Sequence, residues 1–355
     1  MKPGKRIKVA ILFGGKSAEH EVSLQSAKNV YEAIDKDKYD VELVRIEKDG
    51  RWEKPIIDFT SNPAVRVADV VFPVLHGPFG EDGTVQGLLK LAGIPFVGAS
   101  VLGSAIGMDK DVTKRLLRDA GIPIAKFVVL RHGESAFYAE IVGELGTPFF
   151  IKPANLGSSV GVHKVQNAEE LKRALQDAFS YDTKVLAEEF IPGREIECAV
   201  LGNEDPKASV PGEIIPKHEF YSYEAKYIDE QGAVLEIPAK LTADVAKNVQ
   251  DLAVKSFKVL CCEGMARADF FLNPDGKLFL NEINTIPGFT KISMYPKLWE
   301  AGPVRGLEGT QCASASNGAS GISYSELIDR LIELALERFE KEKKLKTSYD
   351  NHAER

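Results

Sequence analysis

The segment "ARADFFLNPDGKLFLNEI", residues 266–283, carries the clearest structural pattern in the chain. Two runs rich in strand-forming residues flank "NPDG", residues 273–276, a sequence typical of a tight turn. The pattern predicts an antiparallel β-hairpin. A two-residue turn at its centre would then determine which side chains face each other across the two strands.

One face of this hairpin is predicted to be polar. With a two-residue turn, we expect Arg267 opposite Glu282 and Asp269 opposite Leu280, and alternation places Asn284 on the same face. Carboxylate and amide oxygens are ligands that Mg²⁺ prefers, and an arginine beside them can bind phosphate or carboxylate in a fork. The alternative is a solvated polar face with one Arg–Glu pair. Apolar residues on the opposite face and near the turn favour a functional site.

Composition excludes several classes of protein. A length of 355 residues predicts two or three domains. The net charge of −7 gives no electrostatic reason to bind nucleic acid. No segment approaches the roughly 20 apolar residues of a membrane span, and the N-terminus indicates a β-strand rather than a signal peptide. The four cysteines form no Cys-x-x-Cys pair, which favours free thiols in a reducing cytoplasm.

The pattern of secondary structure changes along the chain. The first hundred residues alternate strand and helix, which predicts a parallel sheet covered by helices. A second unit begins near Asp109, which can cap a helix, and longer strands follow from about Glu195. The segment Ser323–Glu326 fits a capping box at the start of the last helix. Residues 302–319 are rich in Gly, Ser and Ala and predict a flexible loop.

Two lysines are candidates for phosphate binding. Lys152 ends an apolar strand and opens "KPANLGSSVG", a glycine-bracketed loop that can place backbone N–H groups against phosphates. Lys110 begins a helix and is either a second phosphate ligand or a solvated lysine. The "GKS" at residues 15–17 is not a Walker A motif, because the pattern requires glycine where the chain has Ala10. No Gly-x-Gly-x-x-Gly follows the first strand.

Two further clusters have alternative interpretations. Glu19 and Glu21 follow a strand-to-helix turn, where open α/β sheets bind ligands, but acidic residues there also stabilise the helix dipole. His76 lies in "HGPFGEDG" after another strand. It is either a residue that handles a proton or a hydrogen-bonded loop residue.

Taken together, eight ordered segments resemble the D-alanine–D-alanine ligase family. The resemblance covers residues 6–301 and 320–340. It implies an ATP-grasp fold of three α/β domains, at residues 1–105, 106–192 and 193–355, with a parallel-sheet N-terminal domain. ATP would lie between two antiparallel sheets. The segments are "GGKSAEHEVSLQSA", "LHGPFGEDGTVQG", "MDKDVTKRLLRDAGI", "KPANLGSSVGVHKV", "EEFIPGREIECAVLG", "YEAKY", "RADFFL" and "NEINTIPGFTKISMYPKLW".

The resemblance also implies an activity. ATP would phosphorylate the carboxylate of one D-alanine, and the amine of a second D-alanine would attack the acyl phosphate. The product, D-alanyl-D-alanine, serves peptidoglycan precursor synthesis. The family implies two Mg²⁺ ions, with Mn²⁺ as a substitute, and a homodimer in the cytoplasm. Positioning and charge stabilisation would supply most of the catalysis.

The resemblance assigns roles to individual residues. The expected metal ligands are Asp269, Glu282 and Asn284. The expected catalytic residues are Glu19, Ser158, Tyr227 and Arg267. Further substrate contacts are expected from His76, Gly288, Ser293 and Met294. The expected ATP contacts are Lys110, Phe150, Lys152, Glu188, Glu189, Phe190, Ile191, Glu195, Lys226 and Phe271.

Two departures from the family pattern and several alternatives bear on this interpretation. Glu189 stands where the family often has lysine, although a backbone contact would survive that change. Residues 302–319 are an insertion, which we expect to be tolerated because loop-closure entropy grows slowly with length. Tyr227 favours a dipeptide over a D-alanine–D-lactate product. Another ATP-grasp carboxylate–amine ligase, and a catalytically silent nucleotide-binding protein, are the remaining alternatives.

Overall fold

A computed structural model of the chain describes residues 6–58, 65–66, 68–216, 233–302 and 321–346. Lys226, Tyr227 and nearly all of the predicted insertion therefore lie outside the described residues. Helices and sheets alternate in the N-terminal part, and two antiparallel sheets follow, so the α/β fold class is confirmed. No helix within the described ranges is long and apolar enough to cross a membrane.

The N-terminal sheet is parallel, with its first strand in the centre. Val9 and Ile11 of that strand pack into one apolar cluster, and Ala10 and Leu12 pack into another. Because both faces are covered, the strand is continuously apolar rather than alternating. In spatial order the strands are β2 (Tyr39–Ile46), β1 (Ile7–Gly14) and β5 (Val70–Pro73).

The other N-terminal elements surround this sheet. They are α1 (His20–Ala33), the short pair β3 (Ile57–Asp58) and β4 (Val65–Arg66), α2 (Thr84–Leu91) and α3 (Val101–Met108).

The second unit is a four-stranded antiparallel sheet with helices. As predicted, the Asp109 side chain caps the first helix, accepting hydrogen bonds from Asp111 N and Val112 N at 3.1 Å each. The sheet order is β6 (Phe127–Arg131), β9 (Lys184–Glu189), β7 (Phe149–Pro153) and β8 (His163–Val165). The helices are α4 (Lys110–Asp119), α5 (Tyr138–Leu145) and α6 (Ala168–Tyr181).

The third unit is a larger antiparallel sheet. The predicted capping box of Ser323 and Glu326 is present at the start of its last helix. The sheet order is β13 (Ala233–Glu236), β12 (Gly212–Pro216), β10 (Arg194–Gly202), β14 (Gly264–Leu272) and β15 (Leu278–Asn284), with β11 (Lys207–Ala208) beside β10. The helices are α7 (Ala243–Val259), α8 (Met294–Glu300) and α9 (Tyr324–Glu342).

The hairpin of β14 and β15 forms as predicted, but the expected register is wrong. Arg267 lies opposite Asn284 rather than Glu282, and Asp269 lies opposite Glu282 rather than Leu280. The four polar residues nevertheless project from one face, as the sequence predicts.

Two irregularities explain the different register. The loop is one residue longer than expected and is closed by a bond of 3.0 Å between Asn273 N and Lys277 O. A β-bulge then shifts the pairing by one further residue, with Asn281 as the extra residue. Two single shifts add to an even number, so the polar side chains keep their common face. Leu280, expected on the polar face, instead lies opposite Phe270 in the apolar core.

The N-terminal sheet and the C-terminal helices share one apolar core. Val9 and Ile11 of β1 belong to the same cluster of buried side chains as Tyr295 and Trp299 of α8 and Leu331 of α9. The last helix therefore returns to the beginning of the chain. The domain boundaries at residues 105 and 192 stay a prediction.

The backbone on either side of residues 303–320 lies close together. Ile322 N donates to Trp299 O at 2.9 Å, and a Cβ built on Gly321 would lie 2.2 Å from Glu300 O. A segment placed between these points begins and ends at nearly the same position. This proximity supports the expectation that residues 302–319 are an inserted loop.

Arg338 connects α9 to the N-terminal part of the chain. Its guanidinium is buried and donates to Gly98 O at 2.5 Å and to Phe96 O at 2.8 Å. The Glu263 carboxylate lies 3.4 Å away and balances part of the charge. Two backbone carbonyls that water does not reach therefore depend on one side chain.

We predict that Arg338→Ala lowers the free energy of unfolding by about 3 kcal/mol, because it leaves two buried carbonyls without a donor. The thermal midpoint should fall by roughly 5 °C or more. Arg330→Ala is the matched control on the same helix, since its guanidinium pairs at the surface with Glu333 and Glu337. Equal midpoints for the two variants in a thermal melt would contradict the prediction.

Candidate active site

The polar face of the β14–β15 hairpin is held together by its own side chains. Arg267 Nε and Nη2 donate to the two carboxylate oxygens of Asp269 at 2.7 Å each. Asn284 Nδ2 donates to Asp269 Oδ2 at 2.9 Å. Glu197 of β10 lies opposite Asp269, and its Oε2 is 3.0 Å from Arg267 Nε. Asp269 and Arg267 thus lie at the centre of a connected network.

The three predicted metal ligands lie side by side on this face. Asp269 and Glu282 are a cross-strand pair, and Asn284 contacts Asp269 through its amide nitrogen. Within the described ranges, no three His, Cys, Asp or Glu side chains are arranged to hold a metal ion. Two carboxylates and one amide oxygen are a hard-oxygen donor set that fits Mg²⁺, with the remaining ligands from water or phosphate.

Lysines of the second unit contact this face across the boundary between the two antiparallel sheets, which we call the cleft. Lys152 Nζ, at the end of β7, is 3.3 Å from Oδ1 of Asn281, the bulge residue. Lys110 Nζ, at the start of α4, donates to Leu156 O at 2.6 Å and lies 3.5 Å from Glu282 Oε2. Two cations from the second unit, one on a helix and one on a strand, therefore approach the acidic face of the third unit's sheet. A polyanion such as a nucleotide phosphate can be bound between them.

Glu188 is held between two lysines. Its Oε1 lies 2.8 Å from Lys152 Nζ, and its Oε2 lies 2.9 Å from Lys114 Nζ. Burial alone would raise the pKa of Glu188, but the two ammonium groups more than offset it and leave the pKa below its usual value. Burial lowers the pKa of Lys114. The ion pair with Glu188 directs Lys152 toward the hairpin, and Lys114 helps to keep the Glu188 carboxylate ionised.

The sequence reasoning missed Lys114. Its one available signal was position, since residues four apart on a helix lie on the same face and Lys110 precedes it by that spacing. Asn281 and Glu197 were missed as well. The bulge exposes Asn281 to Lys152, and Glu197 is two residues from Glu195 on β10.

The predicted aromatic residues lie on both sides of the cleft. The rings of Phe150 and Phe190 are adjacent, with centroids 5.9 Å apart. Phe271 lies on the facing sheet, directly opposite Glu195. These side chains are arranged as expected for contacts with a planar base and a ribose, although their roles stay predictions.

Two of the expected ATP contacts, Glu189 and Ile191, have side chains directed elsewhere. Glu189 Oε2 accepts a hydrogen bond from Lys126 N at 3.1 Å. The Ile191 side chain is largely buried. These side-chain positions are consistent with the expectation that this segment contributes through its backbone.

The glycine-bracketed loop contacts the N-terminal part of the chain. Ser158 Oγ donates to Glu19 Oε1, which joins two of the predicted catalytic residues. Ser158 and Ser159 have φ values of 54° and 61°, a left-handed conformation that is uncommon for serine. Tyr227, the third expected member of this group, lies outside the described residues. Glu21, by contrast, pairs with Lys48 at the surface, which fits a solvated residue.

Three of the expected substrate contacts, Gly288, Ser293 and Met294, meet at the start of α8. A Cβ built on Gly288 would lie 2.6 Å from Ser293 Oγ, so only glycine allows this approach without movement. Ser293 Oγ accepts from Thr290 N at 3.0 Å. The Met294 side chain lies in the apolar core, which leaves its backbone for any substrate contact.

His76 is buried, and both of its ring nitrogens are hydrogen-bonded. Its Nδ1 lies 3.0 Å from Ile286 O, and its Nε2 lies 3.1 Å from Ser26 Oγ. Burial lowers the pKa of His76 to about 4, and the charge of Arg267 contributes. The imidazole is therefore neutral at pH 7, and the hydrogen-bonded loop residue is the better of the two interpretations.

We predict that Lys114→Met lowers the free energy of unfolding by about 3 kcal/mol, because Glu188 loses one of its two cations in a buried site. Glu188→Gln in the same background should restore most of the loss. Because the folded pKa of Glu188 is below the unfolded value, the contribution is complete above about pH 5 and declines as the pH falls.

Thermal melts of the Lys114→Met variant and the unaltered protein at pH 7 and near pH 3 measure the predicted loss of stability and its pH dependence. The control is Arg115→Met on the same helix, whose exposed guanidinium pairs with Asp111. A Lys114→Met midpoint that matches the control at pH 7 would refute the prediction.

Comparison with known families gives full-length matches. A family model described as "D-ala D-ala ligase C-terminus" matches residues 116–333, and one described as "D-ala D-ala ligase N-terminus" matches residues 8–61 and 53–99. A D-alanine–D-alanine ligase of Oceanobacillus iheyensis is 54% identical over 377 residues, with 96% of this chain and 98% of the relative covered. D-alanine–D-alanine ligase A of Escherichia coli K12 is 47% identical, with 97% and 100% covered.

Solved structures agree in fold. The D-alanine–D-alanine ligase of Coxiella burnetii superposes with a TM-score of 0.82 at 38% identity, covering 96% of this chain and 97% of that chain. The VanG D-Ala:D-Ser ligase of Enterococcus faecalis gives a TM-score of 0.80 at 37% identity, covering 93% and 100%. With these matches across nearly its whole length, the chain belongs to the D-alanine–D-alanine ligase family.

Proposed function

We propose that this protein joins two D-alanines into D-alanyl-D-alanine at the expense of ATP, releasing ADP and phosphate, for peptidoglycan synthesis. The observation that carries the proposal is the cleft in which Lys110 and Lys152 approach the hairpin residues Glu282 and Asn281. Such a cleft has cations on one side and hard oxygen ligands on the other. It suits phosphoryl transfer from ATP to a carboxylate, which depends mainly on positioning and charge.

Residues from both units that contain antiparallel sheets bind ATP. Lys110 and Lys152, with Lys226, bind the phosphates, and Glu195 binds the ribose. Asp269, Glu282 and Asn284 would hold Mg²⁺ or Mn²⁺, which would neutralise the phosphate charge. The backbone of residues 188–191 reads the adenine, and the rings of Phe150, Phe190 and Phe271 pack against it.

The D-alanine side of the reaction falls to three parts of the chain. Glu19, bonded to Ser158, binds the ammonium group of the first D-alanine and directs its carboxylate toward the γ-phosphate. Arg267, the Gly288 backbone and Ser293 bind the carboxylate of the second D-alanine. Its amine then attacks the acyl phosphate, and phosphate leaves the tetrahedral intermediate. Arg267 stabilises the charge that develops in this step.

The acceptor is the least constrained element of the proposal. One solved relative is named as a D-Ala:D-Ser ligase, and it covers 93% of this chain. Acceptor choice therefore has to be measured against D-serine and D-lactate. Three further elements rest on the family resemblance: a homodimer, a cytoplasmic location, and division into domains at residues 105 and 192.

The decisive measurement is ADP release on addition of D-alanine, with D-serine and D-lactate as competing acceptors. We expect D-alanine alone to support turnover, and D-alanyl-D-alanine to be the main product in mixtures. Chelation with EDTA should abolish ADP release, and Mg²⁺ should restore it. An enzyme that binds ATP but shows no D-alanine-dependent ADP release would be a silent nucleotide-binding protein, and the proposal would fail.

We predict that Ser158→Ala raises the apparent KM for D-alanine about tenfold, because Glu19 loses a charge-assisted hydrogen bond. The KM for ATP should change less than about twofold. Ser158→Gly is the matched control, since glycine also removes the hydroxyl but adopts the φ of 54° without strain. Similar KM values in the two variants would assign the effect to the hydroxyl, whereas a normal KM in the glycine variant would assign it to the backbone.

A further inference from the structure

The backbone immediately after β15 is held by side chains from the N-terminal part of the chain. Ile286 N donates to Glu81 Oε1 at 3.2 Å, and Ile286 O lies 3.0 Å from His76 Nδ1. Phe289 N donates to Ser26 Oγ at 3.2 Å, and that hydroxyl lies 3.1 Å from His76 Nε2. Two of these side chains, Ser26 and His76, form a continuous chain of bonds from Phe289 back to Ile286.

The same short segment is fixed from the other side. Phe289 O accepts from Asn29 Nδ2 at 3.1 Å and from the Tyr324 hydroxyl at 2.6 Å. Ile286 and Phe289 are thus anchored at both their N–H and C=O groups. Gly288 lies between these anchors and directly against Ser293. The distance between Gly288 and Ser293 therefore depends on bonds made by the N-terminal helix and loop.

The bonding partners determine where each proton lies. Ile286 O can only accept, so His76 carries its proton on Nδ1. The Nε2 of the neutral ring then accepts the proton of the Ser26 hydroxyl, and the Ser26 oxygen accepts from Phe289 N. Three hydrogen bonds therefore follow one another in the same direction. Phe289 N–H donates to Ser26 Oγ, the Ser26 hydroxyl donates to His76 Nε2, and His76 Nδ1–H donates to Ile286 O. Every donor and acceptor in this chain has a partner.

Because the bonded groups are buried, loss of any one of these hydrogen bonds is costly. Ser26 is 0% exposed, His76 is 5% exposed and Phe289 is 0% exposed, so water cannot replace a lost partner. Removal of the Ser26 hydroxyl would leave both Phe289 N–H and His76 Nε2 unsatisfied. The least costly response is movement of the segment that carries Gly288.

We propose that Ser26 and His76 are positioning residues of the acceptor site, which set the Gly288 backbone against Ser293 without touching the substrate. This inference rests on the proposed function, in which Gly288 and Ser293 bind the carboxylate of the second D-alanine. It assigns Ser26 a role that the sequence does not indicate. It also makes His76 a fixed hydrogen-bond partner, since neither ring nitrogen is available for proton transfer.

Ser23 of the same helix supplies a matched control. Its hydroxyl is equally buried and also makes two backbone bonds, accepting from Gly14 N at 2.8 Å and donating to Val74 O at 2.5 Å. Gly14 is the last residue of β1, and Val74 directly follows β5. Ser23→Ala therefore costs a similar number of buried bonds but leaves the segment around Gly288 in place.

The kinetic test compares Ser26→Ala with Ser23→Ala. Initial rates of ADP release at varied D-alanine, fitted with two D-alanine sites, give a constant for each site. We expect Ser26→Ala to raise the acceptor-site constant about tenfold, with kcat lowered less than threefold and the KM for ATP changed less than twofold. Ser23→Ala should leave all three within about twofold. Equal effects of the two variants on the acceptor constant would overturn the proposal.

A spectroscopic test does not depend on activity. Nitrogen NMR of the histidine-labelled protein, with His76 assigned by His76→Gln, should show a neutral ring protonated on Nδ1 at pH 7. Ser26→Ala should move the Nε2 resonance toward that of a nitrogen without a hydrogen bond. A charged or Nε2-protonated ring in an active enzyme would overturn the positioning proposal alone. Absence of D-alanine-dependent ADP release in the unaltered protein would instead overturn the proposed function.

Discussion

The active site depends on one interaction, in which lysines of the second unit oppose the acidic face of the β14–β15 hairpin. Two carboxylates, an amide and an arginine lie on that face, and Lys110 and Lys152 approach it across a cleft. Lys110 meets Glu282 across the cleft, while Arg267 and Glu188 each pair with opposite charges on their own side of it. A nucleotide with its metal ions can enter such a cleft by exchanging one set of partners for another, without creating an unpaired charge.

The N-terminal part of the chain adds contacts to the site formed by the two antiparallel sheets. Glu19 reaches the glycine-bracketed loop through Ser158, and Ser26 and His76 hold the segment that carries Gly288. The last helix, α9, packs against the first strand and, through Arg338, against the backbone of residues 96 and 98. The parts of the chain that are proposed to bind the two D-alanines are thereby placed relative to one another by a shared core rather than by loops alone.

Local patterns in the sequence predicted much of the fold, and they failed where contacts span the chain. Periodicity and turn residues predicted the parallel sheet, the helix cap at Asp109 and the hairpin, because these depend on neighbouring residues. The resemblance then assigned roles to residues far apart. Lys114 and Ser26 were missed because a buried lysine or serine on a helix gains its meaning from a partner in another element. The sequence of α1 gives no signal for Ser26, because the burial of its polar side chain is seen only in the structure.

The hairpin also restricts how its sequence can change. Its polar face survives because the longer turn and the bulge at Asn281 each displace the pairing by one residue, and the two displacements together preserve parity. Loss of either irregularity alone would turn Glu282 and Asn284 toward the apolar core, and loss of the longer turn would also turn Leu280 toward the cleft. Insertions and deletions in this hairpin are therefore compatible with the site only in compensating pairs. A length change at the turn that is harmless in most hairpins would here replace the predicted metal ligands with apolar side chains.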